Sequence, residues 1–521
     1  MFLLVYTYYM TQTEALAILE GGASVLLTGA AGTGKTYLLN HFINRARNDG
    51  KNVAVTATTG LAATHLSGTT IHAWSGIGIY DELPKKYGQK LSKQRRELIN
   101  KADILIIDEI SMLHDFRLDV VDEALRIARE SSAPFGGIQV ILCGDFFQLP
   151  PVNRRDSKQG SFITNSKAWK EGTFAVCYLE QQYRQADDQA YNDILNGIRA
   201  GVLKRSQLDS LQARSKALDD PFTTRTRLLT TNADVDSINA EHLAQLSGES
   251  HEYYMESSGG KNYVETLKRS CLAPETLKLK HGALVMCIKN SLERKYVNGS
   301  LGKVVDFDEE TDYPIVELRD GRRVTIKPDT WELRDGDKKR ASLTQLPLRL
   351  AWAITVHKSQ GMTLDAARID LSKAFVEGMG YVALSRVRGL NHLILDGLNG
   401  MALKTSQEAR DIDQELRASS AQALNVFANA ITQWQDNEKT RADSPTKPKK
   451  KTDWSEKLVR MRETYPRAFT PWSQEDDEAL LSAYKKNRVI DDLAHRFGRH
   501  PGSIRARLKK HYGDEWKTAE V

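Results

Sequence analysis

The sequence is poor in the residues that build metal centres and covalent staples. Only four cysteines occur in 521 residues (Cys143, Cys177, Cys271 and Cys287), far apart, with no CxxC spacing and no histidine cluster. This excludes a disulfide framework or a cysteine–histidine metal site and predicts reduced thiols in a cytosolic protein. Long hydrophobic runs are missing as well. The apolar opening MFLLVYTYYM is too short to span a bilayer and has neither a basic leader nor a small-residue cleavage site, so no membrane partner is expected. It reads as a strand, a tail, or an upstream start before Met10. A strong charge imbalance is also lacking. A net charge of +6 does not by itself imply nucleic acid, and the placement of charge has to be followed along the chain.

The length suits three or four domains, each able to bury a core. From about residue 12 to 150, short apolar runs (SVLLTG, VAVTAT, ADILIIDE, IQVILCGD) alternate with helix-patterned segments. Such runs suit parallel strands covered on both faces, which makes the fold class α/β. Several end in a small or acidic residue, at the carboxyl edge where open α/β sheets bind ligands. A second βα region starts near 186 and resumes at 341–400, around LRLAWAITVHKSQGMTL and GYVALSRVRGL. Between 296 and 340 the texture turns to short β segments divided by RDGR and KPDTWE, which predicts a small inserted β-barrel. A helical extension over 401–437, a basic linker over 438–453 and a separate helical unit over 454–521 complete the expected order.

GAAGTGKT, from Gly29 to Thr36, satisfies the phosphate-loop pattern between a strand and a helix. Gly29, Ala30, Ala31, Gly32, Thr33 and Gly34 can wrap backbone N–H groups around phosphate oxygens, aided by the helix dipole. Lys35 can reach the β/γ-phosphates and the Thr36 hydroxyl can complete a Mg²⁺ shell. In ILIIDEISM, Asp108 is the expected second Mg²⁺ residue, and Glu109 is placed to orient or deprotonate the attacking water. These features predict an NTPase.

The ordered series GAAGTGKT, VTATTGLAA, GTTIHAWSGIG, LIIDEISM, PFGGIQVILCGDFFQLPPV, YRQ, TVHKSQGMTL and YVALSRVRG resembles the Pif/RecD-like superfamily 1 helicases, the Pif branch above all, over roughly residues 12–395. The resemblance implies two RecA-like cores, 10–185 and 186–295 with 341–400. It also implies ATP and Mg²⁺ as cofactors, 5′–3′ translocation on single-stranded DNA and a role in DNA replication, repair or recombination. By the same resemblance, Asp145 supports the metal site and Gln148 contacts the γ-phosphate or its water, with Pro150 and Pro151 stiffening the link to the DNA grip. Arg184 and Arg386 match arginine fingers, whose guanidinium groups suit charge spread over a transferring phosphoryl group. Gly361 matches a backbone contact to the γ-phosphate, and Gln12 matches the residue that reads adenine. Met379 departs from the pattern, standing where relatives often have glutamine, and reads as a packing residue.

For the DNA track, the resemblance points to Thr58, Thr59, Gly60, His72 and Trp74 in the first core and to Asn232, His357, Lys358 and Ser359 in the second. Single-strand grooves combine phosphate-binding groups with stacking faces. The basic segment 79–101 stands where relatives insert a duplex-splitting wedge. The C-terminal stretch reads as three helices, and it resembles helix-turn-helix units of the Myb/SANT-like or sigma-like kind. Arg505 and Arg507 on its third helix are candidate duplex contacts. The expected state is a monomer associated with the nucleoid, acting on single strands and DNA junctions. A translocase that strips proteins without unwinding, and an ATP-switched DNA-binding regulator, are the alternative readings.

Overall fold

The computed structural model describes residues 9–512 apart from 67, 79–80, 154–157, 217–224, 290, 292, 294, 297–298, 336–337, 365, 444–463 and 468–471. The opening eight residues, the first two of the wedge segment and most of the expected linker lie outside that set. Where the linker was expected to begin, helix Ala428–Asp443 continues. Residues up to Trp434 form one compact unit and those from Gln435 onward another.

The first core is a six-stranded parallel sheet. Its strands are β1 (Val25–Gly29), β2 (Val53–Ala57), β3 (Thr69–Thr70), β4 (Ile104–Asp108), β5 (Gln139–Cys143) and β6 (Ala175–Leu179), in the spatial order β3-β2-β4-β5-β1-β6. β1 and β4 are buried along their whole length, as strands covered on both faces should be. Pairing of β1 with β5 and of β4 with β5 brings the phosphate loop and the two acidic strand ends to one edge.

The second core is a four-stranded parallel sheet. It is built from β7 (Thr226–Leu229) and, after a long insertion, β18 (Ala353–Thr355), β19 (Ala367–Leu371) and β20 (Leu393–Leu398), ordered β18-β7-β19-β20. The β-rich insertion is wider than 296–340: its strands run from His251 to Leu350. β8 (His251–Tyr254) pairs with β10 (Thr276–Leu279), and β9 (Glu256–Gly259) joins β15 (Asp329–Asp335) and β16 (Lys338–Gln345). β11 (Leu284–Cys287), β12 (Leu301–Phe307), β13 (Pro314–Leu318), β14 (Arg323–Thr325) and β17 (Leu348–Leu350) form a five-stranded antiparallel sheet. No pairing among the described residues closes these sheets into the expected barrel. GALVMCIKN, which reads as a core strand by its apolar run, supplies β11 of this insertion because both of its neighbours are antiparallel.

Helix Gln407–Val426 packs on β6, the open edge of the first sheet, and the Ser420 hydroxyl accepts the edge N–H of Tyr178 at 3.1 Å. The wedge segment is tied back to its core. Tyr87 donates to the Ser75 carbonyl at 2.8 Å, and Arg95 donates to the carbonyls of Ala73 and Trp74. In the C-terminal unit, helices Gln474–Lys486, Ile490–Phe497 and Pro501–Tyr512 enclose their own apolar centre around Leu480, Leu493 and Ile504. A capping box joins Ser473 and Asp476, and Gly498 closes the second helix in a left-handed turn. Among the described residues no helix is long and apolar enough to cross a membrane.

Candidate active site

A cavity of about 390 Å³ lies at the carboxyl edge of the first sheet and takes residues from both cores. Gly32, Gly34, Lys35 and Thr36 line it from the phosphate loop, Asp108 and Glu109 from the end of β4, and Gln148 from the segment after β5. Arg184 borders it from the segment after β6, and Gly361 and Arg386 from the second core. The dispersed sequence motifs therefore converge. Lys35 Nζ donates to the carbonyls of Gly29 at 2.7 Å and Ala30 at 2.9 Å, and burial lowers its pKa despite the Asp145 charge. Gln12 sits against the loop, its Nε2 donating to the Thr33 carbonyl at 3.2 Å. Gly361 has a left-handed φ of 77°, which a side chain would strain where the backbone faces the cavity.

Asp108 is buried and accepts the Glu109 N–H at 2.9 Å. Burial, followed by the adjacent Asp108 charge, pushes Glu109 up to about 7, with Lys35 and Arg386 opposing. A carboxyl poised there suits proton transfer near neutrality. Arg184 is lowered to about 9 by burial and then by the facing charge of Arg386. Arg184 donates across the cleft to the Ser385 carbonyl at 2.9 Å, and Arg386 is 1% exposed, held by the Val382 carbonyl at 2.8 Å. Neither guanidinium forms an ion pair with a described residue, so two like charges meet in one cavity that an anionic phosphate chain would neutralise.

Several functional residues escaped the sequence reading. Gln360 Nε2 donates to Glu109 Oε2 at 2.9 Å and lies 3.4 Å from Gln148 Oε1. Gln182 Nε2 donates to the Ala31 carbonyl at 2.8 Å, clasping the phosphate loop. Asp145 does not support a metal site. Arg199 Nη1 donates to both of its oxygens, at 2.7 and 2.9 Å, and the Tyr381 hydroxyl adds a bond at 3.1 Å. Burial would raise Asp145, but Arg199 and Lys35 bring its carboxyl below the ordinary range. Tyr381 also accepts the Ala31 N–H at 2.9 Å, which ties this ion pair to the phosphate loop. Met379 is fully buried as a packing residue. Beside it, a Cβ on Gly378 would fall 2.6 Å from the Gln148 carbonyl oxygen, so the glycine is what lets the second core approach the DFFQ segment.

The DNA candidates divide into two groups. Thr59, Gly60, His357 and Lys358 line one cavity of about 320 Å³, to which both cores contribute, and Asn232 is exposed at the start of its helix. Phe375, which the sequence reading missed, is 63% exposed and stacks on His357 with ring centroids 6.2 Å apart, offering the aromatic face expected of such a track. Others are corrected. Trp74 is 5% exposed within the first core, and Ser359 is fully buried with its hydroxyl given to the Val356 carbonyl at 2.8 Å. Thr58 is buried and donates to the Glu109 carbonyl at 2.9 Å. His72 is half-buried and stays a candidate; it lies 3.2 Å from Arg117, and burial followed by that charge lowers it to about 4. In the C-terminal unit Arg505 is exposed, whereas Arg507 is committed to Asp477 and lies 5.6 Å from the centre of the Trp472 ring. Motif spacing fixes the chain position of these residues but not their side-chain direction.

The model of the PIF1-like helicase family matches residues 9–208, and that of the DNA helicase Pif1 2B domain matches 262–307. The chain is 41% identical over 478 residues to the ATP-dependent DNA helicase Pif1 of Psychrobacter sp., covering 80% of this chain and 72% of that protein. It spans 64% of the length of the human ATP-dependent DNA helicase PIF1, at 37% identity. Among solved structures it is similar to Bacteroides sp. Pif1 in complex with ADP-AlF4, with a TM-score of 0.66 and 31% identity over 81% of this chain and 99% of that one. It is likewise similar to Bacteroides Pif1 bound to ssDNA, with a TM-score of 0.58 and 33% identity over 80% of this chain and 97% of that one.

Proposed function

Because the chain belongs to the PIF1-like helicase family, we propose that it is an ATP-dependent DNA helicase that translocates 5′ to 3′ on single-stranded DNA and opens duplexes in replication, repair or recombination. The observation that carries this reading is the single cavity bordered by Lys35, Asp108 and Glu109 from one core and by Arg386 from the other. A triphosphate held there joins two bodies that also share the candidate strand-binding cavity, so nucleotide turnover can alternate their grips. Lys35 and the loop N–H groups bind the phosphates. Glu109, with Gln148, orients and deprotonates the attacking water, and Arg184 and Arg386 stabilise the charge that develops on the phosphoryl oxygens.

Mg²⁺ fits the residues present. Thr36 and Asp108 offer two hard oxygen donors on one cavity. This suits an ion that completes its shell with phosphate oxygens and water, and that neutralises the phosphates when bound. The DNA track is assigned to Thr59, Gly60, Asn232, His357, Lys358 and Phe375, supported by the relative bound to ssDNA. Arg505 is assigned to duplex or junction contact by the C-terminal unit, and the turn around Lys85 and Lys86, both exposed, to the wedge. The protein is proposed to act as a monomer at the nucleoid.

Duplexes with a 5′ tail, a 3′ tail or blunt ends test the reading. Unwinding of the 5′-tailed substrate alone is expected, with Lys35→Ala inactive on all three. Unwinding from 3′ tails would overturn the polarity. ATP turnover without unwinding would favour a protein-stripping translocase, and turnover indifferent to single strands would favour a switched regulator.

A further inference from the structure

Gln360 is 7% exposed and follows the single turn His357–Ser359 of the second core, yet its side chain bonds to two residues of the first. Its amide nitrogen is 2.9 Å from Glu109 Oε2 and 3.4 Å from Gln148 Oε1. A primary amide carries two N–H donors, as water carries two O–H donors. Glu109 and Gln148 are the two side chains assigned above to the attacking water, and Gln360 satisfies their acceptor oxygens as that water would. We infer that Gln360 is a positioning residue that takes the place of the attacking water and holds hydrolysis off until single-stranded DNA shifts its turn. This rests on the ATP-driven helicase reading.

The route from strand to amide is short. His357 and Lys358, three and two residues before Gln360, line the same cavity as Thr59, Gly60 and Glu109. The turn between them is braced. The Lys358 N–H donates to Thr355 Oγ1 at 3.3 Å and the Ser359 hydroxyl to the Val356 carbonyl at 2.8 Å. Arg386 Nη1 reaches the carbonyls of Ser359 at 3.5 Å and Met362 at 3.3 Å. A phosphate that draws on Lys358 therefore moves the turn as a unit, and the displacement reaches Gln360 and Arg386 together. Arg386 already borders the phosphate cavity in this arrangement, so withdrawal of the amide is the change that releases hydrolysis. A glutamine that merely bridged the cores would support the opposite expectation, since its loss would only lower the rate.

The test is steady-state ATP hydrolysis by the full chain with and without a single-stranded thymidine oligonucleotide, for wild type, Gln360→Ala and Gln360→Leu. Leucine keeps the buried bulk without an N–H donor. If the open arrangement is the minor one without DNA, of the order of a tenth of molecules or fewer, removing the amide raises the DNA-free rate about tenfold or more. The stimulated rate stays within a few-fold, so the stimulation ratio collapses. A gain of this kind cannot come from damaged packing. A DNA-free rate no higher than wild type in both variants overturns the inference. Absence of DNA-stimulated hydrolysis in wild type would instead overturn the helicase reading.

Discussion

β4 and β5 are neighbours in the first sheet, and each ends in acidic residues whose surroundings are opposite. Beyond β4, Glu109 is pushed up to about 7, and its side-chain hydrogen-bond partner is an amide rather than a cation. Beyond β5, Asp145 has Arg199 on both oxygens and is held below the ordinary carboxylate range. The arginines divide the same way. Arg199 is saturated by Asp145, Asp413 and the Tyr178 hydroxyl, and its guanidinium lies 4.1 Å from the centre of the Phe147 ring, whereas among the described residues Arg386 has only carbonyl and hydroxyl hydrogen-bond partners. Burial alone therefore does not set the role of a charge. A matched counter-charge turns it into scaffold, and lack of one leaves it reactive.

The contrast is sharpest at Arg386. Arg386→Ala is expected to lower kcat by roughly 10³–10⁵ while nucleotide affinity falls far less, measured by ATP turnover and fluorescent-nucleotide titration. Glu109→Gln removes an unpaired charge and should cost about 10²–10⁴ in kcat with the thermal midpoint unchanged or higher. Across the strand gap, Arg199→Met leaves Asp145 buried and unpaired, and denaturant melts should record a loss of roughly 3–5 kcal/mol, recovered in part by the double change with Asp145→Leu. The pH dependence carries a definite sign. Because the folded Asp145 pKa is depressed, the stability gap between wild type and Asp145→Asn should be constant from pH 5 to 8. It should shrink only as pH falls below about 4, the ordinary aspartate value. Phe375→Ala, outside both networks, should weaken binding of a short single strand by about 1–3 kcal/mol and leave DNA-free turnover intact.

The phosphate loop and the acidic end of β4 were legible because their chemistry is local: consecutive residues wrap one anion or line one strand end. The three C-terminal helices were legible for the same reason, through Trp472 with the acids after it, Gly498 and Pro501. Arg199, Gln360 and Tyr381 were not, because each acts on a partner far away in the chain: Asp145, Glu109 and the Ala31 N–H. Trp74 and Ser359 occupy plausible motif positions, but packing turns them inward, and Arg507 is committed to its ion pair with Asp477. The width of the β insertion was hidden because the apolar run of β11 is indistinguishable from a core strand until its antiparallel partners are known.

Helix Gln407–Val426 carries Asp413, which accepts from Arg199 at 3.2 Å, and Ser420, which caps the outer N–H of β6. What looks like a tail appended to two finished sheets is a working part of the first. A fragment stopped after β20 would end with both sheets complete on paper. It would nonetheless leave an interior cation one acid short and a raw strand margin facing water, so the smallest self-sufficient motor must extend through this helix.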